Sequence, residues 1–428
     1  MKIAAAVILA TALVSQGAYA KTLEDVLKEK GVITEEDYKE VNKSRPVDYK
    51  LGEGFTFTSP DEKFKGSIGS SMQLRYSFTD MDSANNTAAK TVQDSSKFEL
   101  RRIKLFFNGY AYSKDLTYKL QLNFAEINNP TSSNGKLLEE TYMNYRIIDE
   151  AQLRFGQDKV PFARQEITST SAQQFVDRSV VTDAFKPGYD TGLMLHGKIS
   201  NGLVNYNAGV YGGAGQDTWR TSNDNAFAAR IAVNPFGDMK YSESDVEYSE
   251  KPLLSVGTNY FFDTLKNGET NNINFAGSKG WVGIGGPLMP AAGRFAAAEK
   301  INFNTFGFDT AFKWKGLSVQ GEYFIGQADG QTSNNTLRAQ GFYAQAGYFI
   351  IPKQLELAAR YSYLDANRDA ANSLWIETQG AVSWYINKHN LKLQADITNI
   401  HKQSALAFNG GPNATDDMQA RLQAQIIF

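Results

Sequence analysis

The chain is 428 residues long, sets 44 Lys and Arg against 46 Asp and Glu for a formal charge of −2, and has no cysteine. That balance excludes a global basic field for nucleic acid, and an exported chain without cysteine is held by backbone pairing rather than disulfides. Beyond residue 20 there is no apolar run long enough for a membrane-spanning helix, yet a mean hydropathy of −0.40 also suits a transmembrane barrel, where half of each strand faces water.

Residues 1–20 open on the basic Met1-Lys2, continue through the apolar run 3–13 and end on Ala18-Tyr19-Ala20, a small-x-small site before Lys21. They read as a secretory signal peptide, with no cysteine after it to carry a lipid anchor. Residues 21–50 are expected to form a periplasmic helical or linker segment. In "KTLEDVLKEKGVITEEDYKEV", Thr22 and Thr34 can each cap a helix with an Asp three residues on. Gly31 sits where a left-handed C-terminal residue belongs. Helices this short need a partner surface, so a docking or trimerising element and a loosely ordered linker both stay open.

From residue 60 to 428 the period is two. In "LTYKLQLNFAE", 116–126, Leu116, Tyr118, Leu120, Leu122 and Phe124 share one face, and Thr117, Lys119, Gln121 and Asn123 share the other. Alternation of this kind is a strand with one greasy and one wet side. Similar stretches lie near 64–78, 97–110, 115–126, 138–148, 151–158, 191–200, 203–211 and 226–235. Others lie near 252–263, 304–315, 316–327, 339–351, 354–365, 375–387, 390–400 and 418–428. Sixteen strands is an even number, which leaves both barrel ends on the periplasmic side.

The connections decide between a soluble sandwich and a membrane barrel. After odd-numbered strands they are long and polar: 79–96, 127–137, 159–190, 212–225, 264–303, 328–338, 366–374 and 401–417. After even-numbered strands they are short, as at 112–114, 149–150, 201–202, 315–316, 351–353 and 388–389. Long outside loops and tight inside turns belong to an outer-membrane barrel. The turn 236–251, "FGDMKYSESDVEYSEK", is an exception that the pattern does not explain. The chain finishes on "MQARLQAQIIF", where an outward apolar row ends at Phe428, which resembles the assembly signal of bacterial outer-membrane barrels.

"FELRRIKLFFNGYAYSKDLTYKLQLNFAE" resembles the second and third strands of the phosphate-selective porin O/P family. "LRFGQDKVPFARQE" and "FVDRSVVTDAFKPGYDTGLMLHG" resemble its fifth strand, long third loop and sixth strand. "GFYAQAGYFI", "LELAARYSYLD" and "VSWYINKHNLKL" fit its later strands, and "LEDVLKEKGVITEEDY" its helical preface. The resemblance implies an all-β, 16-stranded antiparallel transmembrane barrel with an inward-folded third loop. It further implies a homotrimer in outer-membrane lipid, no cofactor, and in some relatives selection of phosphate or polyphosphate by rows of Arg and Lys.

Strand parity sorts the charges independently. Inward cations are Arg75, Arg102, Lys104, Lys119, Arg146, Arg154, Lys198, Arg230, Lys313, Arg360, Lys392 and Arg421. Inward acids are Glu140, Asp158, Asp309, Glu322, Glu356, Glu377 and Asp396. A cation excess in a low-dielectric channel concentrates small anions. Arg102 and Lys104 are the foremost candidates, followed by Arg75, Lys119, Arg154, Lys198 and Arg230. The rival reading is that these groups merely satisfy carboxylates on neighbouring strands. The constriction loop carries Lys159, Arg164, Arg178 and Lys186 against Glu166, Asp177, Asp183 and Asp190. Such balance falls short of the converging Arg forks that strict phosphate selection wants.

Two other classes compete. An enzyme would need a nucleophile and base, but His196, His389 and His401 have no recognisable Ser motif or metal spacing around them. The Gly-rich "GWVGIGGPLMPAAG" lacks the Lys-Ser/Thr of a phosphate loop. A structural or partner-binding barrel using the long loop 264–303 is the alternative to a porin.

Overall fold

In the computed structural model, the described residues are 23–38, 47–88, 91–126, 136–218, 220, 223–266, 295–296, 298–406 and 412–428. The signal peptide reading for 1–20 and most of loop 264–303 fall outside them. α1 (Leu23–Glu29) ends toward Gly31, whose φ is +66°. A second helical turn starts after Thr34, where Asp37 N donates to Thr34 Oγ1 at 3.0 Å and Thr34 N donates to Asp37 Oδ2 at 2.9 Å. This is a reciprocal cap.

β1 (Val47–Lys50) and β2 (Gly54–Thr58) form a hairpin. Next come β3 (Phe64–Asp80), β4 (Ser95–Ala111), β5 (Ser113–Asn123), β6 (Leu138–Ile148), β7 (Ala151–Lys159) and β8 (Tyr189–Ile199). β9 (Val204–Tyr211), β10 (Ala226–Val233), β11 (Leu253–Lys266), β12 (Lys300–Trp314) and β13 (Leu317–Gly330) follow. β14 (Thr336–Ile351), β15 (Leu355–Asp365), β16 (Leu374–Asn387), β17 (Leu391–Lys402) and β18 (Thr415–Ile427) complete the wall. From β3 to β18 each strand pairs antiparallel with the next, and β18 returns to β3 from Met418↔Asp80 to Ile427↔Ser71. The sixteen strands read from alternation therefore close into one barrel. The hairpin was not among them: residues expected to be helix or linker supply β1, and β2 pairs with β3 from Phe55↔Ile68 to Thr58↔Lys65.

The barrel inverts a soluble protein. Leu74, Phe155, Leu193, Phe308, Ile397 and Leu422 are exposed on its outside, whereas Gln73, Arg75, Gln320, Lys392, Gln394 and Gln423 are buried within. A continuous exposed apolar belt of this size calls for lipid rather than water. Gln121 and Asn123 of the wet face of "LTYKLQLNFAE" point inward, and the strand stops at Asn123, where Phe124–Glu126 forms a 3₁₀ turn.

Candidate channel lining and constriction

The third long loop turns into the barrel because it is apolar where it meets the wall. Val160, Phe162, Ala163, Val181, Ala184 and Phe185 pack against Phe261, Phe303, Phe324, Leu337 and Leu364, all buried. The Phe162 and Phe185 rings lie 5.5 and 5.4 Å from that of Phe324. Burying these two side chains alone contributes about 3–6 kcal/mol. Within the loop lie α2 (Arg164–Ile167) and α3 (Val180–Phe185), the latter capped by Ser179, whose Oγ accepts from Thr182 N at 3.0 Å. Backbone anchors complete the fit: Arg164 N and Gln165 N donate to Glu322 at 2.6 and 2.7 Å, and Val176 N donates to Asp396 Oδ2 at 3.1 Å. Lys392 Nζ donates to Gln173 O at 2.8 Å.

The loop covers the β11–β17 side of the lumen. Opposite it, along β4–β8, Lys119 and Arg154 keep part of their surface in solvent, as do Asp183 and Lys186 on the loop's own edge. A cavity of about 210 Å³ opens there between Lys104, Asn108, Lys119 and Gln121 of the wall and Ser169–Ser171 of the loop. Its wall carries a ladder of ion pairs: Lys104 Nζ with Glu139 Oε2 at 2.5 Å, Lys119 with Glu140, and Arg154 with Asp158.

Two bulges alter the charge expected of this wall. On β4, Arg102 pairs with Gln73 and Leu100 with Leu74, so Arg101 is an extra residue. Strict alternation would point it at lipid; instead its Nη2 lies 3.6 Å from Asp177 Oδ1. The phase change also carries Glu99 and Lys97 inward, where Glu99 meets Arg75 at 3.4 Å and Lys97 at 2.7 Å. On β6, Thr141 pairs with Leu120 and Leu138 with Leu122, so Glu139 and Glu140 both turn inward toward Gln121. Outward residues three apart, the apolar Leu100 and Ile103, or Leu138 and Thr141 flanking two Glu, were the available signal.

Above the ladder, guanidinium groups converge on one carboxylate of the loop. Arg75 forks onto Asp177 at 2.7 and 3.1 Å, Arg421 reaches it at 3.2 Å, and Arg101 and Arg102 stand at 3.6 and 3.7 Å. Arg421 also forks onto Asp396 at 2.7 and 2.8 Å. Burial alone would raise the Asp177 carboxyl, but Arg75, Arg101, Arg421 and Arg102 hold it well below the usual carboxylate range. Four Arg and Lys97 here share Asp177, Glu99 and Asp396, five positive charges against three negative, an excess of two.

The other candidates fall in different places. Lys119 and Arg154 face the open lumen, whereas Arg75, Arg102 and Lys104 point inward but are buried beneath their partners. Arg230 does not line the open space: its side chain is fully buried against Asp309 at 2.5 Å. Lys198 sits at the periplasmic rim with Asp238, also at 2.5 Å. In the loop, Arg164 is buried against Gln320 and Ser255, and Lys159, which the structure places as the last residue of β7, donates from Nζ to Glu166 O and Thr168 O at 2.8 and 3.0 Å. Arg178 pairs with Glu166 at 2.9 Å. These three cations hold the loop's shape because burial obliges them to find acceptors; only Lys186, paired with Asp183 at 2.7 Å, borders the open side.

His196 and His389 have other partners than a catalytic triad requires, and His401 Nδ1 meets Asp416 Oδ1 at 2.8 Å. His196 Nε2 contacts Asn144 Oδ1 at 2.6 Å. His389 Nε2 meets Ser242 Oγ at 3.0 Å, but its other nitrogen faces Lys392 Nζ at 3.5 Å, where an orienting carboxylate would be needed.

A closed barrel with an apolar belt, an inward loop and a charged lumen is an outer-membrane channel of the porin class. The sequence matches the family phosphate-selective porin O and P over residues 69–426, and the chain belongs to that family. It is similar to an uncharacterized protein of Aquifex aeolicus (strain VF5), 26% identical over 401 residues and covering 86% of each chain. Its fold is similar to the anion-selective porin from Comamonas acidovorans, with 9% identity, coverage of 84% of this chain and 99% of that one, and a TM-score of 0.55. It is also similar to the outer membrane channel DcaP of Acinetobacter baumannii, with 13% identity, 88% and 100% coverage, and a TM-score of 0.52.

Proposed function

We propose that this protein is a porin through which small hydrophilic solutes diffuse passively, with a preference for anions. The observation that carries the preference is the excess of two positive charges where Arg75, Arg101, Arg102, Arg421 and Lys97 share Asp177, Glu99 and Asp396. Below it the wall is an ion-pair ladder, nearly neutral, so attraction is concentrated at one level. Low-dielectric walls focus that field and raise local anion concentration. Conduction also requires that a bound ion leave, and Asp177 competes for the same guanidinium groups. Phosphate and other oxyanions fall within the expected solutes, as weakly held species. In this reading the chain is exported by residues 1–20, assembles as a homotrimer in outer-membrane lipid, and uses no cofactor.

The test is a reversal potential in a planar bilayer across a KCl gradient at low salt, with phosphate then replacing chloride. A potential displaced toward the anion supports the reading, and cation selectivity overturns it. A folded barrel that does not conduct would favour a structural or partner-binding role.

A further inference from the structure

The turn 236–251 is far longer than its counterparts at 149–150, 315–316 and 388–390, and it does not hang in the periplasm. It rises into the lumen until it touches the constriction loop. Glu243 N donates to Ala172 O at 3.0 Å. The Glu243 carboxylate accepts from Gln165 Nε2 at 2.8 Å, from Gln174 N at 2.7 Å and from Gln345 Nε2 of β14 at 3.1 Å. It is 2% exposed, and all three donors are neutral amides. A carboxylate buried on those terms is costly to desolvate, and its removal would strand the Gln174 amide and leave Gln165 Nε2 and Gln345 Nε2 only their longer contacts to Gln345 Oε1 and Gln174 Oε1, at 3.4 and 3.2 Å. The rest of the turn is wedged as firmly: Ser244 Oγ bonds Glu356 and Tyr385 at 2.8 and 2.7 Å, and Lys313 Nζ donates to Ser244 O at 3.0 Å.

We propose that this turn is a brace that sets the bore of the channel, with Glu243 as its positioning residue. The inference rests on the porin reading above. Its geometry is specific: Gln165 and Gln174, the loop positions that Glu243 grips, stand on either side of Ser169–Ser171, the segment that edges the open cavity. One carboxylate thereby pins both flanks of the constriction to the wall at Gln345. Release of that grip lets the edge move away from Lys104 and Lys119, or fluctuate against them.

The experiment compares wild type, E243A, E243D and Q345L by unitary conductance in planar bilayers and by liposome swelling with sugars of increasing size. Heat-modifiable mobility on gels selects folded barrels. E243A is expected to raise conductance and current noise and to admit a sugar that wild type excludes. E243D, which keeps the charge, restores part of the cut-off and leaves the anion preference as in wild type. Folded E243A with wild-type conductance and cut-off overturns the brace. Should E243A not fold, Q345L decides, since it removes one wall donor and leaves the carboxylate in place; an unchanged cut-off there overturns the brace equally. A wild-type barrel that does not conduct overturns the porin reading, and the brace with it.

Discussion

Asp177→Asn removes the one negative charge at the centre of the arginine cluster while keeping the side chain's size. Arg75 retains Gln423 Oε1 at 2.9 and 3.2 Å and Val176 O at 3.1 Å, so its fork stays in place. Arg421 keeps its two bonds to Asp396. The local excess then rises from two positive charges to three. For an anion seated about 7 Å from the lost carboxylate, the repulsion removed is roughly 0.6 kcal/mol at a dielectric of 80 and 2.4 kcal/mol at 20. Those limits correspond to roughly a three- to sixtyfold gain in anion occupancy. In a bilayer under a KCl gradient at about 0.1 M, the reversal potential should move further toward the chloride limit, and added phosphate should reduce chloride current more than in wild type. Near 1 M salt the screening length falls to about 3 Å, and the difference should largely vanish. Folded D177N channels with an unchanged potential, or one displaced toward cations, would refute the placement of selectivity at this cluster.

Three further outcomes are expected. Leu120→Arg, on the lipid face, should cost roughly 2–4 kcal/mol near the bilayer midplane and lower the heat-modifiable fraction; damage no greater than that from an Arg at an exposed loop position would show that the face is assigned wrongly. Removal of Phe428 deletes the closing pair in which Ser70 N donates to Phe428 O at 2.7 Å and Phe428 N to Ser70 O at 2.9 Å. Folded yield should fall while the conductance of surviving channels stays the same, and a normal yield would count against this seam role. His389, in the turn after β16, is held well below its ordinary pKa by burial, then by Lys392 and Lys313. Its neutral form therefore stabilises the fold fully above the unfolded value of about 6.5, and that contribution is lost as pH falls toward the depressed folded value, by about 1.36 kcal/mol per unit. Because His389 touches Ser242 of the inward turn, current noise should grow on acidification in wild type and not in H389Q; matching pH profiles would exclude the histidine.

Alternation carries almost all of the wall, because a two-residue period states which side of a strand meets lipid. It fails where the backbone departs from that period. Arg101 and Glu139 reach the lumen only through bulges, which period two cannot see. The hairpin was missed because "GFTFT" offers only Phe55 and Phe57 as outward residues, too few to announce a strand. Inward direction was legible for Arg230, but its concealment was not: a cover of loop residues and a carboxylate two strands away is a property of packing. Likewise nothing in "FGDMKYSESDVEYSEK" says that a polar, acidic turn will be buried, since Glu243 is satisfied by Gln165, Gln174 and Gln345, all distant in the chain.

The short hairpin bears on how the barrel chooses its circumference. β18 and β2 lie end to end along the same edge of β3: Phe428 bonds Ser70, and Phe55 already faces Ile68. Gly54 fills the step between them so tightly that a Cβ there would come within 2.0 Å of Ile68 O. A two-residue slip of β18 toward the periplasm would keep every apolar residue facing lipid, so the alternation pattern offers no resistance to it. The hairpin does, because the lane is occupied. Movement of β18 toward the periplasm must therefore halt where the hairpin waits, and a pattern blind to even-numbered errors acquires a stop in that direction at the seam where the wall closes.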